Sequence, residues 1–197
     1  MIRYLLAVAV GVGVAISLDA AQGDGIAQQL RQAISQGGDA NAAGPVGGER
    51  LDACFTPGAD CTGMIVDRIG EARRQVLVQA YSFTSTPILT ALAEASGRGI
   101  DVRVILDRSD EGGARSAARW LADHGIAPLI DDQVAIAHNK VLVIDGGTVI
   151  TGSFNFTRAA QDRNAENLLI VEGRPDLAGL YAANWQRRAA VSRLFAP

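Results

Sequence analysis

The chain has 197 residues, of which 48% are hydrophobic and 20% charged, and its net charge is −3. This length allows one domain with a sizeable core, and this composition excludes a globally disordered chain. Because the total charge is slightly negative, any surface that binds phosphate groups has to be local.

The N-terminal segment differs from the rest of the chain. It has one Arg and then an uncharged run of fifteen residues, Tyr4 to Leu18, followed by small residues. Fifteen residues are short for a hydrocarbon core about 30 Å thick. The pattern predicts a signal peptide over residues 1–23, cleaved near Ala20 to Gly23, and export to the periplasm or the medium. An uncleaved envelope anchor is the alternative.

The next stretch, residues 24–50, is rich in Gly, Ala, Gln and Asp and has little to bury. It is predicted to be a linker or a removed pro-segment. The only cysteines, Cys54 and Cys61, follow it on either side of a Pro-Gly turn. Export permits a disulfide between them, whereas a metal site would need further ligands nearby. A disulfide is the favoured interpretation, and two free thiols are the alternative.

From Met64 onwards the sequence alternates between helical and strand patterns. Helices are predicted over 63–74, 87–99, 113–125 and 176–190, and strands over 75–83, 100–107, 126–131 and 167–173. Interleaved helices and strands predict an α/β domain, over residues 51–197, with a mixed and mostly buried β-sheet flanked by helices.

A hairpin is predicted over residues 139–153, around Gly146 and Gly147. A two-residue Gly-Gly turn would place Lys140 opposite Ser153 and His138 opposite Asn155, with all four side chains on one face. Another turn type would shift this register by one residue. The opposite face would carry four core residues, Val141, Val143, Ile150 and Phe154.

These four polar residues suit the binding of a phosphate group. Lys140 is the only lysine among eighteen basic residues. A lysine with Ser and Asn donors can hold an anionic tetrahedral group, and a histidine can act as nucleophile or general acid. Because Lys140 supplies positive charge and no cluster has metal-ligand spacing, neither a metal nor another cofactor is expected. The alternatives are Ser153 as the nucleophile and a solvent-facing polar hairpin without chemistry.

The arrangement His138, Lys140 and Asp145 matches the HxKxxxxD signature and resembles the phospholipase D superfamily. The likeness continues through "GSFNF" at 152–156 and "NAENLLIV" at 164–171, and upstream through "QAYSFTSTPI" and "GIDVRVILD". It extends from Leu51 to the C-terminus and is greatest for the short bacterial endonucleases that carry one such motif. The resemblance implies a phospholipase D-like α/β fold and a phosphodiesterase activity.

The resemblance also implies roles for single residues. His138 would be the nucleophile that forms a phosphohistidine, and Lys140 and Asn155 would hold the non-bridging oxygens. Ser153 would support this pocket, and Glu166 would orient the histidine by hydrogen bonding its second ring nitrogen. Asp145 belongs to the same catalytic motif, but its place at the turn favours a structural role.

The leaving oxygen needs a proton, which a second HxK histidine supplies in this superfamily. The only other histidine, His124, lies at a predicted helix end and has no lysine two residues on. A two-fold homodimer in which two copies of His138 share one composite site is therefore expected.

The substrate is the least determined part of the prediction. The first hypothesis is a nuclease that cleaves DNA or RNA without much sequence preference, with Arg158 and Arg163 holding flanking phosphates. Ordinary solvated charge explains these two arginines equally well. The second hypothesis is a phospholipase, which should show an exposed apolar loop. A catalytically silent phosphate-binding module is the third.

Overall fold

The protein is described here by a computed structural model that covers residues 43–46, 49–113 and 116–196. The predicted signal peptide and most of the predicted linker lie outside these residues. Among the helices of the described part, none is both long and apolar enough to cross a membrane.

The described residues form nine strands, five α-helices and one short 3-10 helix. The strands are β1 (Ala43–Val46), β2 (Glu49–Thr56), β3 (Gln75–Ala80), β4 (Asp101–Asp107), β5 (Leu129–Asp131), β6 (Lys140–Ile144), β7 (Thr148–Gly152), β8 (Glu166–Glu172) and β9 (Arg193–Leu194). The helices are α1 (Cys61–Gly70), α2 (Thr86–Gly97), α3 (Ala117–Asp123), α4 (Arg158–Asp162) and α5 (Pro175–Ala189), and the 3-10 helix is Arg108–Asp110.

All nine of these strands belong to one sheet in the order β1-β2-β8-β7-β6-β3-β4-β5-β9. Strands β3, β4 and β5 run parallel to one another, and the other neighbours are antiparallel. The central strands are buried on both faces, which explains their continuous apolar sequences. The predicted mixed and mostly buried α/β sheet is therefore confirmed.

Helices cover the two faces of the sheet. The larger core includes Ile65 of α1 and Leu92 of α2, which pack together on one face. The smaller core on the other face lies under α5, where Trp185 packs against the sheet. The Trp185 indole Nε1 also donates to the carbonyl oxygen of Val78 at 2.9 Å, which fixes α5 on β3.

The predicted disulfide is present between Cys54 and Cys61. It joins the end of β2 to the first residue of α1, with the two Cα atoms 5.6 Å apart. Both cysteines are fully buried in the larger core. The bridge therefore fixes the β2–α1 corner, through which the chain enters the helical layer.

The prediction of a linker over residues 24–50 is wrong at its C-terminal end. Residues 43–46 form β1, and Glu49 and Arg50 begin β2, which pairs along its length with β8. Backbone groups make this pairing. It therefore forms even though these residues lack the alternation of apolar and polar side chains by which a strand is recognised in a sequence.

The predicted hairpin exists, but its register is wrong by one residue. Asp145 and Gly146 both have positive φ, 54° and 69°, and the Gly147 amide donates to the Ile144 carbonyl oxygen at 3.1 Å. The loop therefore contains three residues, and Val141 pairs with Thr151 rather than with Gly152. An Asp in the left-handed region was not anticipated, because Gly adopts it more readily.

This shift changes which side chains share a face. Val141 and Val143 face the smaller core under α5, whereas Ile150 and Phe154 belong to the larger core. The prediction that these four residues share one face is therefore wrong, although all four are buried. The predicted pairs Lys140–Ser153 and His138–Asn155 are also absent, since His138, Ser153 and Asn155 lie in loops outside the strands.

Candidate active site

The predicted site residues lie along one edge of the sheet. Lys140 begins β6 beside Ala80, the last residue of β3, and Glu166 begins β8 beside Thr56, the last residue of β2. Gly152 ends β7 opposite Leu168 of β8. The loops that carry His138, Ser153 and Asn155 are attached at this same edge, which also receives the carboxyl ends of the parallel strands β3 and β4.

The loop before β6 presents His138 at the surface. Asp107 at the end of β4 accepts a hydrogen bond from the Ala137 amide at 2.7 Å, and Arg108 Nη2 donates to the Ala135 carbonyl oxygen at 3.2 Å. The His138 ring lies 4.6 Å from the ring of Tyr81, centroid to centroid. His138 is itself exposed, so its ring is accessible to an incoming phosphate.

Lys140 is buried, with 6% of its surface exposed. Its Nζ donates to the His138 carbonyl oxygen at 2.9 Å and lies 5.0 Å from the centroid of the Tyr81 ring. Burial lowers the pKa of Lys140, and the nearby carboxylate of Glu166 opposes this effect by raising it. The lysine is therefore fixed against the histidine loop as a partly desolvated cation, which strengthens its interaction with an anion.

Asn155 is held between two core aromatics. Phe154 and Phe156 are buried, and the Phe156 ring packs edge to face on Phe83 with centroids 5.4 Å apart. The Oδ1 atom of Asn155 is buried and has no hydrogen-bond partner among the described residues. The oxygen and nitrogen of such an amide are interchangeable by a flip. The end of this side chain is thus a polar group whose described surroundings leave Oδ1 unpaired, which makes it a candidate ligand contact.

Ser153 and Glu166 form a hydrogen-bonded pair. Ser153 Oγ donates to Glu166 Oε2 at 2.6 Å and accepts from the Asn167 amide at 3.0 Å, while Asn164 Nδ2 donates to Glu166 Oε1 at 3.0 Å. Within the described residues Glu166 makes no hydrogen bond to the ring of His138. Its hydrogen bonds place it as the support of Ser153 rather than as the predicted orienting group, and its charge raises the pKa of Lys140 without a direct ion pair among the described residues.

The close approach of β7 and β8 depends on Gly152. The Asn167 carbonyl oxygen accepts from the amides of both Ser153 and Phe154, at 3.0 and 3.2 Å. A Cβ atom at Gly152 would collide with this carbonyl group. A glycine is therefore required before Ser153, and it sets the position of the whole loop.

Asp145 lies at the opposite end of β6 and makes structural contacts. Its carboxylate accepts hydrogen bonds from the amides of Arg73, Arg74 and Gln75 at 2.9, 2.8 and 2.9 Å. Burial alone would raise the pKa of Asp145, but the hydrogen bonds from these three amides and the Arg74 charge outweigh it, so the pKa is lowered. The residue joins the hairpin turn to the start of β3.

The three remaining candidates lie outside this cluster. His124 follows α3, where its ring stacks on Trp120 at 3.7 Å and its Nδ1 lies 2.7 Å from the Trp120 carbonyl oxygen. Its predicted place at a helix end is confirmed. Arg158 is 91% exposed and pairs with Asp162 at 3.0 Å, and Arg163 is exposed at the end of α4.

Sequence reasoning missed four residues of the site: Tyr81, Asp107, Asn164 and Asn167. Asp107 could have been found, because an acidic residue that ends a buried parallel strand lies at the same edge as the other strand ends. Asn164 and Asn167 lie within the quoted "NAENLLIV" segment, but only the folded chain shows that they bond Glu166 and Ser153.

The geometry defines what the site can do. An exposed imidazole, a buried ammonium group, a serine hydroxyl and the amide of Asn155 lie along the same edge of the sheet, which suits attack on a phosphate group. Among the described residues, no group of three or more His, Cys, Asp and Glu side chains is placed to hold a metal ion.

Comparisons with known proteins agree with this geometry. A family model described as "Cardiolipin synthase, PLD-like domain" matches residues 65–189. A phospholipase D from Rickettsia felis is 46% identical over 141 residues, which are 72% of this chain and 70% of that protein. A mitochondrial cardiolipin hydrolase from Xenopus tropicalis is 33% identical over 103 residues, which are 52% of this chain and 49% of that protein.

Among solved structures, the phospholipase D family member Nuc from Salmonella typhimurium superposes with a TM-score of 0.72 at 33% identity. The superposition covers 76% of this chain and 99% of Nuc. The fold and the site thus define an enzyme built to act at a phosphate group. The chain belongs to the phospholipase D superfamily.

Proposed function

We propose that this enzyme is a phosphodiesterase that cleaves the backbone of nucleic acids as an endonuclease, with little preference for sequence. The observation that carries the proposal is the convergence at one sheet edge of exposed His138, buried Lys140 and Asn155, whose Oδ1 has no partner among the described residues. The likeness to Nuc over almost its whole length supports a nucleic acid as the substrate.

The proposed reaction has two steps. A ring nitrogen of His138 attacks the phosphorus atom, a phosphorus–nitrogen bond forms, and the bond to the leaving oxygen breaks. Lys140 and Asn155 stabilise the negative charge on the non-bridging oxygens, and Ser153, held by Glu166, keeps the loop in place. A water molecule then hydrolyses the phosphohistidine and restores His138.

A second histidine is needed to protonate the leaving oxygen and later to deprotonate the water. His124 is engaged with Trp120, so the proposal assigns this role to His138 of a second copy in a two-fold homodimer. Two apolar side chains near His138, Val134 and Ile136, are 37% and 54% exposed, which suits contact with that second copy.

Two experiments test the assembly: mixing two inactive variants, and measuring the mass of the protein in solution. A heterodimer of His138→Ala with Lys140→Ala would not regain full activity, because the shared site lacks one histidine and one lysine. Light scattering of the active protein at the assay concentration should give the mass of a dimer. A fully active monomer would contradict the composite site, and Ile136→Asp should lower the dimer fraction.

The chemistry is tested by activity on plasmid DNA, RNA and phospholipid vesicles. His138→Ala should reduce the rate to below a few per cent while phosphate binding persists, and Lys140→Ala should weaken both. Each group aimed at the phosphate contributes roughly 10²–10³ in rate. Because Lys140 supplies the positive charge, activity should persist in EDTA. If EDTA abolishes the activity and Mg²⁺ or Zn²⁺ restores it, this mechanism is contradicted.

Hydrolysis of phospholipid is the second candidate. The relatives named phospholipase D and mitochondrial cardiolipin hydrolase favour it. The same two-step chemistry would then release a lipid head group. Cleavage of vesicle phospholipid with no cleavage of DNA or RNA by the same preparation would establish this alternative.

We also propose that the protein is exported to the periplasm or secreted. The predicted signal peptide supports this, and the Cys54–Cys61 disulfide suits an oxidising compartment. Fractionation of cells that express the full chain, with mass spectrometry of the N-terminus, would test it. A cytoplasmic protein that keeps residues 1–23 would contradict it.

A further inference from the structure

A second cavity lies next to the phosphate site, and the proposed chemistry does not use it. It has a volume of about 520 Å³ and lies between the N-terminal ends of α1 and α2 and the start of α4. The residues that matter for its chemistry are Asp60, Val66, Ser85, Thr86, Pro87 and Arg158.

The N-terminus of α2 presents free hydrogen-bond donors to this cavity. Its N-cap residue, Ser85, makes no capping hydrogen bond, and Pro87 has no amide proton. Within the described residues, the amides of Thr86 and Ile88 have no acceptor. The neighbouring helix α1 is different, because Asp60 Oδ1 accepts from the Gly63 amide at 2.8 Å.

Ser85 gives a second and independent indication of a ligand. Only 5% of its surface is exposed, and it lines the cavity. Its hydroxyl makes no hydrogen bond among the described residues. The Ser85 Oγ atom is not one of the fully buried atoms that lack a partner, so it is open to the cavity and can meet a ligand there.

The walls of the cavity indicate the class of ligand. Val66 and Pro87 provide aliphatic surface, and Arg158 lies at the rim with its guanidinium paired to Asp162. The second carboxylate oxygen of Asp60 has no described partner and would repel a phosphate. An uncharged planar ring with donors and acceptors on its edge fits these groups better than an anion does.

We propose that this cavity binds a nucleobase of the substrate next to the scissile phosphate. An exocyclic amino group would donate to Asp60, and the Ser85 hydroxyl and Thr86 amide would donate to acceptors on the ring edge. The base would pack on Val66 and Pro87. The inference rests on the proposed nuclease function and adds to it a binding site for one base of the substrate.

The connection between the cavity and the phosphate site is short. The Phe156 carbonyl oxygen accepts hydrogen bonds from the amides of Thr84 and Ser85 at 2.9 and 2.8 Å. Phe156 directly follows Asn155, whose amide end contributes to the proposed phosphate site. The two sites are therefore connected through adjacent residues of one loop.

The test compares the cleavage of a single-stranded oligonucleotide with that of the same strand carrying one abasic residue. Each hydrogen bond between the base and the cavity contributes an amount that corresponds to about 2-fold to 10-fold. We expect cleavage at the bond beside the abasic residue to be slower by a factor in this range. Val66→Phe, which fills the cavity, should slow cleavage of the intact strand and so reduce its advantage over the abasic strand.

Matched controls keep this test decisive. Val191→Phe adds the same ring at an exposed position outside the cavity and should behave like the wild type. Ser85→Ala, a milder change, should reduce the preference for the intact strand, whereas Thr90→Ala on the exposed side of α2 should not.

The outcomes separate this inference from the proposed function. Equal cleavage beside intact and abasic residues by the wild type, or a Val66→Phe variant that keeps the wild-type preference, would overturn the nucleobase site and leave the nuclease standing. Cleavage of neither strand would overturn the nuclease itself. Loss of phospholipid cleavage in Val66→Phe, with oligonucleotide cleavage unchanged, would assign the cavity to a lipid and overturn the inference.

Discussion

Replacement of Asp145 tests whether the aspartate of the signature holds the fold or takes part in chemistry. Its carboxylate accepts from three backbone amides at 2.8–2.9 Å. At about 1 kcal/mol of net stabilisation for each bond, Asp145→Gly should lower the free energy of unfolding by about 3 kcal/mol. Glycine is the suitable replacement, because Asp145 has a φ of 54°, which glycine adopts without strain.

The companion variant Asp145→Asn keeps the shape of the side chain and one acceptor oxygen, and asparagine tolerates this backbone conformation. It should cost less stability than Asp145→Gly. Both variants, measured under conditions where they are folded, should keep kcat close to that of the wild type. Asp67→Asn, an exposed residue of α1 with no described side-chain partner, is the control for a change of charge.

The pH dependence gives a second measurement of the same effect. Because the pKa of Asp145 is lowered in the folded protein, its stabilisation is present above its usual value of 3.8 and is lost as the pH falls through the lowered pKa. Urea unfolding should therefore show the difference between wild type and Asp145→Gly shrinking in acid. A variant within about 0.5 kcal/mol of the wild type at pH 7, or a folded variant with kcat reduced about 100-fold, would refute the structural role.

Three further predictions concern other parts of the molecule. Glu166→Gln removes the charge that raises the pKa of Lys140, so the alkaline limb of the pH–rate profile should move to lower pH; an unmoved limb would contradict this. Replacing Cys54 and Cys61 by Ala opens a loop with a sequence separation of 7, and urea unfolding should show a loss of about 2.5 kcal/mol, whereas an unchanged midpoint would be evidence against it. Burial raises the pKa of Asp110 from 3.8 to about 7, so its contribution to stability is lost as the pH rises between these values. Asp110→Asn should remove this loss of stability with rising pH, which amounts to at most about 4 kcal/mol. Thermal unfolding at several pH values measures it, and a variant whose stability depends on pH in the same way as that of the wild type would show the reasoning to be wrong.

Much of the fold could be predicted because its strands are buried on both faces. The apolar runs of β3 and β4 and the Pro87 and Gly97 signals of α2 are local features that tertiary contacts then reinforce. Strand β2 was missed because only one of its faces is buried and its partner, β8, lies more than a hundred residues away. Local patterns carry no information about such a partner.

The site was predictable in composition but not in geometry. The sequence places His138, Lys140, Ser153 and Asn155 near one hairpin, and the structure brings them to one edge, but by loops rather than by paired strands. The difference arises at Asp145, whose left-handed backbone adds a residue to the turn. The contact of Tyr81 with His138 and Lys140 depends on the pairing of β3 with β6, which the sequence does not specify.

The "GSFNF" loop affects how a mutational scan of this enzyme should be interpreted. Substitutions at Gly152 would fail because of a collision with a backbone carbonyl group, and those at Phe154 and Phe156 because the core would be left unfilled. Substitutions at Ser153 and Asn155 would fail for reasons of polarity. A screen for activity alone would record five intolerant neighbours and make all of them look catalytic. Only abundance of folded protein, measured in parallel for each variant, would separate the residues that build the loop from those that meet the phosphate.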